Sequence, residues 1–160
     1  MSAMARQRGF TLPEMIIILF IVGLLAAMGL PAMTKLLTTQ AVRSASYDLF
    51  ADLVFARSEA IARGSKVRIV GVDSTDFKKG WTILEDAGGT TIRTQPARDA
   101  AIVFTSTQGT IVFDRTGRAE SPAEIAFSIA PVETPAQDSM KRCIRLDPSG
   151  RPRSSEGACT

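Results

Sequence analysis

Histidine is absent from this chain. That absence excludes Ser-His-Asp and Cys-His catalysis and histidine-based metal sites. No glycine-rich phosphate loop, no H-E-x-x-H and no Cys-x-x-Cys occurs either. Aspartates and glutamates are scattered, and no spacing singles out an acid–base pair. The expectation is a protein that is not an enzyme, with no cofactor and no metal site. A second absence is local: Met15 to Thr34 holds no Asp, Glu, Lys or Arg. As a helix rising ~1.5 Å per residue, a run of that length covers ~30 Å, the thickness of a bilayer's hydrocarbon core.

At the head of that uncharged run stands Arg8-Gly9-Phe10-Thr11-Leu12-Pro13-Glu14. A secretory signal has its basic region, then its apolar stretch, then a small-residue cleavage site. Here Gly29-Leu30-Pro31-Ala32-Met33 is a poor site of that kind, and the candidate cut, Gly9 to Phe10, lies before the apolar run. Cutting there leaves the hydrophobic helix on the mature protein.

These residues resemble the prepilin processing and methylation motif of type IV pilins and type II secretion pseudopilins. The resemblance implies that an inner-membrane prepilin peptidase cuts after Gly9, that Phe10 becomes the methylated first residue, and that Glu14 is the fifth mature residue. Pro13 departs from the aliphatic residue usual at that place, and a proline fits the first turn of a helix. An unpaired carboxylate in lipid is strongly disfavoured. The amino-terminal nitrogen of a neighbouring subunit would satisfy Glu14 and register each subunit in a filament. The alternative is that Glu14 lies at headgroup level without a partner. The expected organisation is a leader over 1–9, the transmembrane and assembly half of a helix over 10–34, and a soluble globular domain over 35–160.

Helical periodicity continues past the expected span, with Pro31 expected to bend or loosen the helix. Leu49, Phe50, Leu53, Ala56, Ala60 and Ile61 recur at three- and four-residue steps. Asp48, Asp52, Arg57, Glu59 and Arg63 are read as the intervening polar faces. Arg63-Gly64 supplies a basic last turn and a glycine stop, so one helix is expected from about Leu12 to Arg63. Beyond Gly64 the period becomes two. Val67 and Ile69 alternate with Lys66 and Arg68, and Ile125, Phe127 and Ile129 with Ala126, Ser128 and Ala130. Trp81–Leu84, Ile102–Thr105 and Ile111–Phe113 look similar. Gly88-Gly89, Gln108-Gly109 and Thr116-Gly117 mark turns, and 131–137 is the best loop candidate. No internal repeat is apparent. The fold class expected is α+β: a long N-terminal helix on an antiparallel sheet with a C-terminal loop. The string from Leu49 through Asp52, Ala56-Arg57, Glu59 and Arg63 to Val67 resembles the GspH/FimT group of minor pilins and pseudopilins, with weaker echoes at Gly80-Trp81 and Phe113 to Gly117.

Cys143 and Cys159 are the two cysteines. An N-terminal span with a basic leader would put the domain outside the cytoplasm, and the pilin resemblance implies the bacterial periplasm and then the pilus surface. Disulfides persist there, and pairing would contribute about 3 kcal/mol by loop-closure entropy. Two free thiols in an unoxidised domain is the alternative. Between the cysteines, Asp147-Pro148-Ser149-Gly150 suits a type I turn. Pro152 biases Arg151 toward extended backbone, so Arg151 and Arg153 are expected to project to one side as a cationic fork suited to phosphate.

Charge is concentrated in the same place. The chain is +3, and loss of Arg6 and Arg8 with the leader makes it +1. Residues 141–160 carry Lys141, Arg142, Arg145, Arg151 and Arg153 against Asp147 and Glu156, a net +3, which leaves −2 for 10–140. Such localisation is the footprint of a polyanion site. Gly150-Arg151-Pro152-Arg153 resembles the G-R-x-R signature of FimT-type minor pilins, whose C-terminal loop is implicated in binding DNA during natural transformation. The resemblance implies sequence-independent binding of DNA phosphates by these five cations. Their upper limit on the salt slope is about −4.5. No aromatic residue lies between Asp138 and Thr160, which argues against base stacking. The competing expectation is a structural subunit that primes a pilus or a type II secretion pseudopilus, its arginines solvated or touching other pilins.

Overall fold

The computed structural model describes residues 10–98, 100–132 and 137–159, and of 28–32 it describes the backbone only. Gly9 and the rest of the leader, and most of the loop expected over 131–137, lie outside the described residues.

Helix α1 runs Leu12–Arg63, the expected bounds, and its helical backbone is continuous through Pro31. Two compact units divide the chain, Met1–Leu37 and Thr38–Thr160. In the first, the Thr11 N–H donates to Glu14 Oε2 at 3.4 Å. This is one half of a capping box, in which a carboxylate in the first turn satisfies an otherwise orphan donor. The described side chains from Phe10 to Leu25 that are large and apolar are exposed all round the helix. A helix apolar on every side needs lipid or other helices around it. Among the described residues no helix is long and apolar enough to cross a membrane. Residues 28–32, inside the expected span, have no described side chains.

In the second unit the helix lays one stripe on a sheet. Val42, Ala45, Leu49, Leu53, Ala56 and Ala60 are fully enclosed. Two expectations for the stripe are corrected. Ile61 is 51% exposed, whereas Asp52, read as a polar-face residue, is 1% exposed. Asp52 lies three residues after Leu49, so it shares that face. It is tolerated because its carboxylate is fully used: Trp81 Nε1–H donates to it at 2.9 Å and Arg93 Nη1 at 2.9 Å.

The sheet comprises β1 (Val67–Asp73), β2 (Asp76–Glu85), β3 (Thr91–Gln95), β4 (Ile102–Ser106), β5 (Thr110–Phe113), β6 (Ile125–Pro131), β7 (Arg142–Leu146) and β8 (Pro152–Glu156). All pairings are antiparallel, in the order β5-β1-β2-β4-β6-β7-β8, with β3 pairing β2. β2 and β4 share the single pair Asp76↔Thr105, so the sheet is thinly stitched at its middle. Alternate residues of β1, β4 and β6 are buried, as a half-covered antiparallel sheet requires. Phe77, Trp81, Phe104 and Phe127 cluster with ring centroids 5.4 to 6.0 Å apart, within the range of favourable edge and tilted contacts. Arg98 covers this layer over Trp81, and Arg93 lies over Phe55 of the helix.

Candidate nucleic-acid interface

β7 and β8 form a hairpin whose register sets Arg142 opposite Glu156, Arg145 opposite Arg153 and Leu146 opposite Pro152. The turn is the expected type I turn: the Gly150 N–H donates to the Asp147 carbonyl at 2.9 Å. Gly150 then takes φ +77°, a left-handed conformation open to glycine, and the Asp147 N–H returns to the Arg151 carbonyl at 3.3 Å. A type I turn followed by a left-handed residue matches the twist of the strands it joins. Asp147 organises the turn from inside. Its carboxylate accepts from the Ser149 hydroxyl and from the Arg151 N–H. The Ser149 hydroxyl bond, then the Arg151 and Ser149 N–H groups and the Arg153 charge, hold its pKa below the ordinary carboxylate value despite some desolvation.

Cys143 and Cys159 are joined, with Cα atoms 5.1 Å apart. The bridge ties the segment after β8 back to β7, so the hairpin is fastened at its open end as well as at its turn.

The five expected cations occupy different environments. Arg142 is 12% exposed in its side chain and pairs with Glu156 at 2.9 Å. It also donates to the Ser139 and Lys141 carbonyls. Lys141 pairs with Asp138 at 3.0 Å, and Arg145 stands 3.9 Å from Glu124. Arg153 is 79% exposed in its side chain and 4.0 Å from Asp147. Arg151 is exposed, and among the described residues no ion pair joins its guanidinium. The structure therefore leaves Arg151 and Arg153 the most exposed of the five, Arg153 with one long pair to Asp147, and draws the other three closer to intramolecular partners. Arg151 lies in the loop, just before the extended stretch expected to align it with Arg153.

The turn expected at Thr116-Gly117 has the same design, a likeness the sequence analysis did not draw. Asp114-Arg115-Thr116-Gly117-Arg118 repeats the pattern of Asp147-Pro148-Ser149-Gly150-Arg151. Gly117 N–H donates to the Asp114 carbonyl at 2.9 Å, and Asp114 N–H to the Arg118 carbonyl at 2.9 Å. Gly117 has φ +79°. The Asp114 carboxylate accepts from the Thr116 hydroxyl at 2.6 Å and from the Thr116 and Arg118 N–H groups. Led by the Thr116 hydroxyl bond, these donors lower its pKa too. The two turns touch. A Cβ on Gly150 would collide with the Gly117 carbonyl oxygen and stand 3.4 Å from the Arg118 Cα. The signal available in the sequence was an Asp, a hydroxyl residue, a Gly and an Arg at fixed offsets.

An open cleft of about 590 Å³ lies beside the Asp114 turn. It sets Asp86, Asp114 and Glu120 against Lys66 and Arg115, a lining of mixed charge. Among the described residues no group of three carboxylates or cysteines is placed to hold a metal ion.

Comparison with known proteins accounts for both halves. Residues 4–30 match the prokaryotic N-terminal methylation motif. Residues 45–150, well over half of the chain, match the model of the type II transport protein GspH. The chain belongs to the GspH family. No curated protein sequence matches it. Among solved structures it is similar to the type IV minor pilin FimU of Pseudomonas aeruginosa PAO1 in two crystal forms. In the first the TM-score is 0.63 at 24% identity, over 71% of this chain and 87% of that one. In the second the values are 0.61 and 23%, over 71% and 91%. At such identity the likeness concerns the fold: an N-terminal helix on an antiparallel sheet. As a GspH-family member with the methylation motif, the chain is a type IV minor pilin or pseudopilin, of a fold that serves structural subunits.

Proposed function

We propose that this chain is a minor pilin of a type IV pilus that captures DNA without sequence preference through its C-terminal hairpin. Prepilin peptidase removes residues 1–9, the helix from Phe10 anchors the subunit in the inner membrane with its domain in the periplasm, and the subunit then joins other pilins. One observation carries the DNA reading. Arg151 and Arg153 are both exposed, and Arg151 has no ion pair among the described residues, on a hairpin tied by a disulfide. Guanidinium groups held in this way bind phosphate with little loss of conformational entropy. The three engaged cations reduce the expected salt slope from the five-contact limit to about −1.8 for two phosphate contacts.

The test is binding of fluorescein-labelled duplex DNA by the detergent-solubilised chain at low salt. Arg151→Glu/Arg153→Glu is expected to abolish the anisotropy change. Absence of binding by the unsubstituted chain, or unchanged binding by the variant, rejects the reading.

The match to the type II transport protein GspH favours a second reading, a pseudopilin or a priming subunit whose arginines meet other pilins. A deletion strain separates the two: loss of transformation with intact secretion supports capture, and loss of secretion or of surface pili supports assembly.

A further inference from the structure

We infer that the polyanion surface is built from both turns, so that Arg115 and Arg118 contact the same duplex backbone as Arg151 and Arg153; this rests on the DNA reading above.

Three observations converge on that surface. The first is the contact between turns. Gly150 has no room for a side chain because the Gly117 carbonyl group fills the space, its carbon 3.1 Å from where a Cβ would stand. The residues that follow the two glycines, Arg118 and Arg151, therefore leave adjoining backbone. The second is the support beneath. A Cβ at Gly117 would meet Ile61 Cδ1 at 2.7 Å and Arg57 Cγ at 3.1 Å, so the helix buttresses the Asp114 turn as the disulfide secures the β7–β8 hairpin. Ile61 is half-exposed because it lies under this turn at the edge of the core. Arg57 adds a positive stem there, its Nε buried and without a hydrogen-bond partner among the described residues.

The third is charge. Arg115, Arg118, Arg151 and Arg153 are all exposed. Among the described residues no ion pair joins Arg115, Arg118 or Arg151. The two aspartates of the turns accept hydroxyl and backbone N–H donors at Oδ1, and Asp147 Oδ2 lies 4.0 Å from Arg153. Four exposed arginines on two touching turns outnumber the two aspartates of those turns. A polymer with regularly spaced phosphates engages such a surface more fully than a single small anion does. An acidic protein surface is the other polyanion class, but it lacks the regular charge spacing that four separate guanidinium groups would exploit.

The number of phosphates contacted is read directly from salt dependence. Four contacts give a slope of log K against log salt of about −3.6, and two give about −1.8. The experiment compares four forms of the detergent-solubilised full chain with a labelled duplex over a salt series. These are the unsubstituted chain, Arg115→Gln/Arg118→Gln, Arg151→Gln/Arg153→Gln, and Lys78→Gln/Lys79→Gln as a control of equal charge change on the β1–β2 hairpin. Intact disulfide by non-reducing mass and unchanged circular dichroism establish folding of each. Each arginine pair is expected to lower the slope by about 1.8, while the lysine pair leaves it near that of the unsubstituted chain. A slope for Arg115→Gln/Arg118→Gln equal to the lysine control overturns the two-turn surface and leaves the C-terminal reading standing. No binding by the unsubstituted chain overturns both. Competition by an acidic polypeptide at the same charge concentration as effectively as by duplex overturns the assignment to nucleic acid.

Discussion

Asp52 is the one charged side chain fully enclosed among the described residues, and it is where residue-level reading of the sequence failed. A carboxylate within an amphipathic helix is ordinarily a solvent-facing residue. Here the tryptophan N–H and an arginine arriving from β3 convert a polar intrusion into a joint between helix and sheet. Neither partner is close in sequence, so nothing local announced it. Truncation leaves the buried Trp81 N–H unpaired. Asp52→Ala is expected to destabilise the domain by about 2–3 kcal/mol, and Asp52→Asn, which keeps an acceptor, by less. Urea unfolding followed by Trp81 fluorescence measures both; equal, negligible effects would show that Asp52 is not a joint.

At the scale of elements, legibility followed burial pattern. β1, β4, β5 and β6 alternate buried apolar with outward residues and were readable from period alone. β3 contributes only Ile92 to the core, and β8 is an edge strand of Pro-Arg-Ser-Ser-Glu without an apolar face. Both are strands because neighbours supply the ladder, which no periodicity records. β7 buries the adjacent Cys143 and Ile144, which breaks alternation. Both turns were visible from their residue types, but not their contact, which joins glycines distant in sequence. Their aspartates also give the elements a pH signature. Both carboxylates have folded values below the ordinary 3.8. Their stabilising contribution is therefore complete above that ordinary value and fades as pH falls through the lower folded values. Thermal unfolding between pH 5 and pH 2 is expected to show a decline in melting temperature that Asp114→Asn/Asp147→Asn flattens. Parallel curves for the two proteins would contradict that role.

At the scale of the whole molecule, the most legible feature was the head of the helix. Gly9 lies outside the described residues, but the methylation motif match covers it. Glu14 caps its own chain through Thr11, a weak, exposed bond that a cationic amino terminus on a neighbouring subunit would readily displace. Glu14→Ala is expected to leave membrane insertion intact and to reduce incorporation into filaments severalfold. Quantitative blotting of sheared surface pili against the membrane fraction measures this; equal recovery of both forms would remove the registering role.

The touching glycines carry a consequence for how a subunit matures. β5 and β8 stand at opposite ends of the strand order, yet the turn following one rests on the turn preceding the other. A polypeptide clipped just before Asp147 would retain the helix, most of the sheet and both Arg115 and Arg118, but the abutment that steadies them would be gone. Under the proposed function, capture would therefore require a chain made through the β7–β8 hairpin.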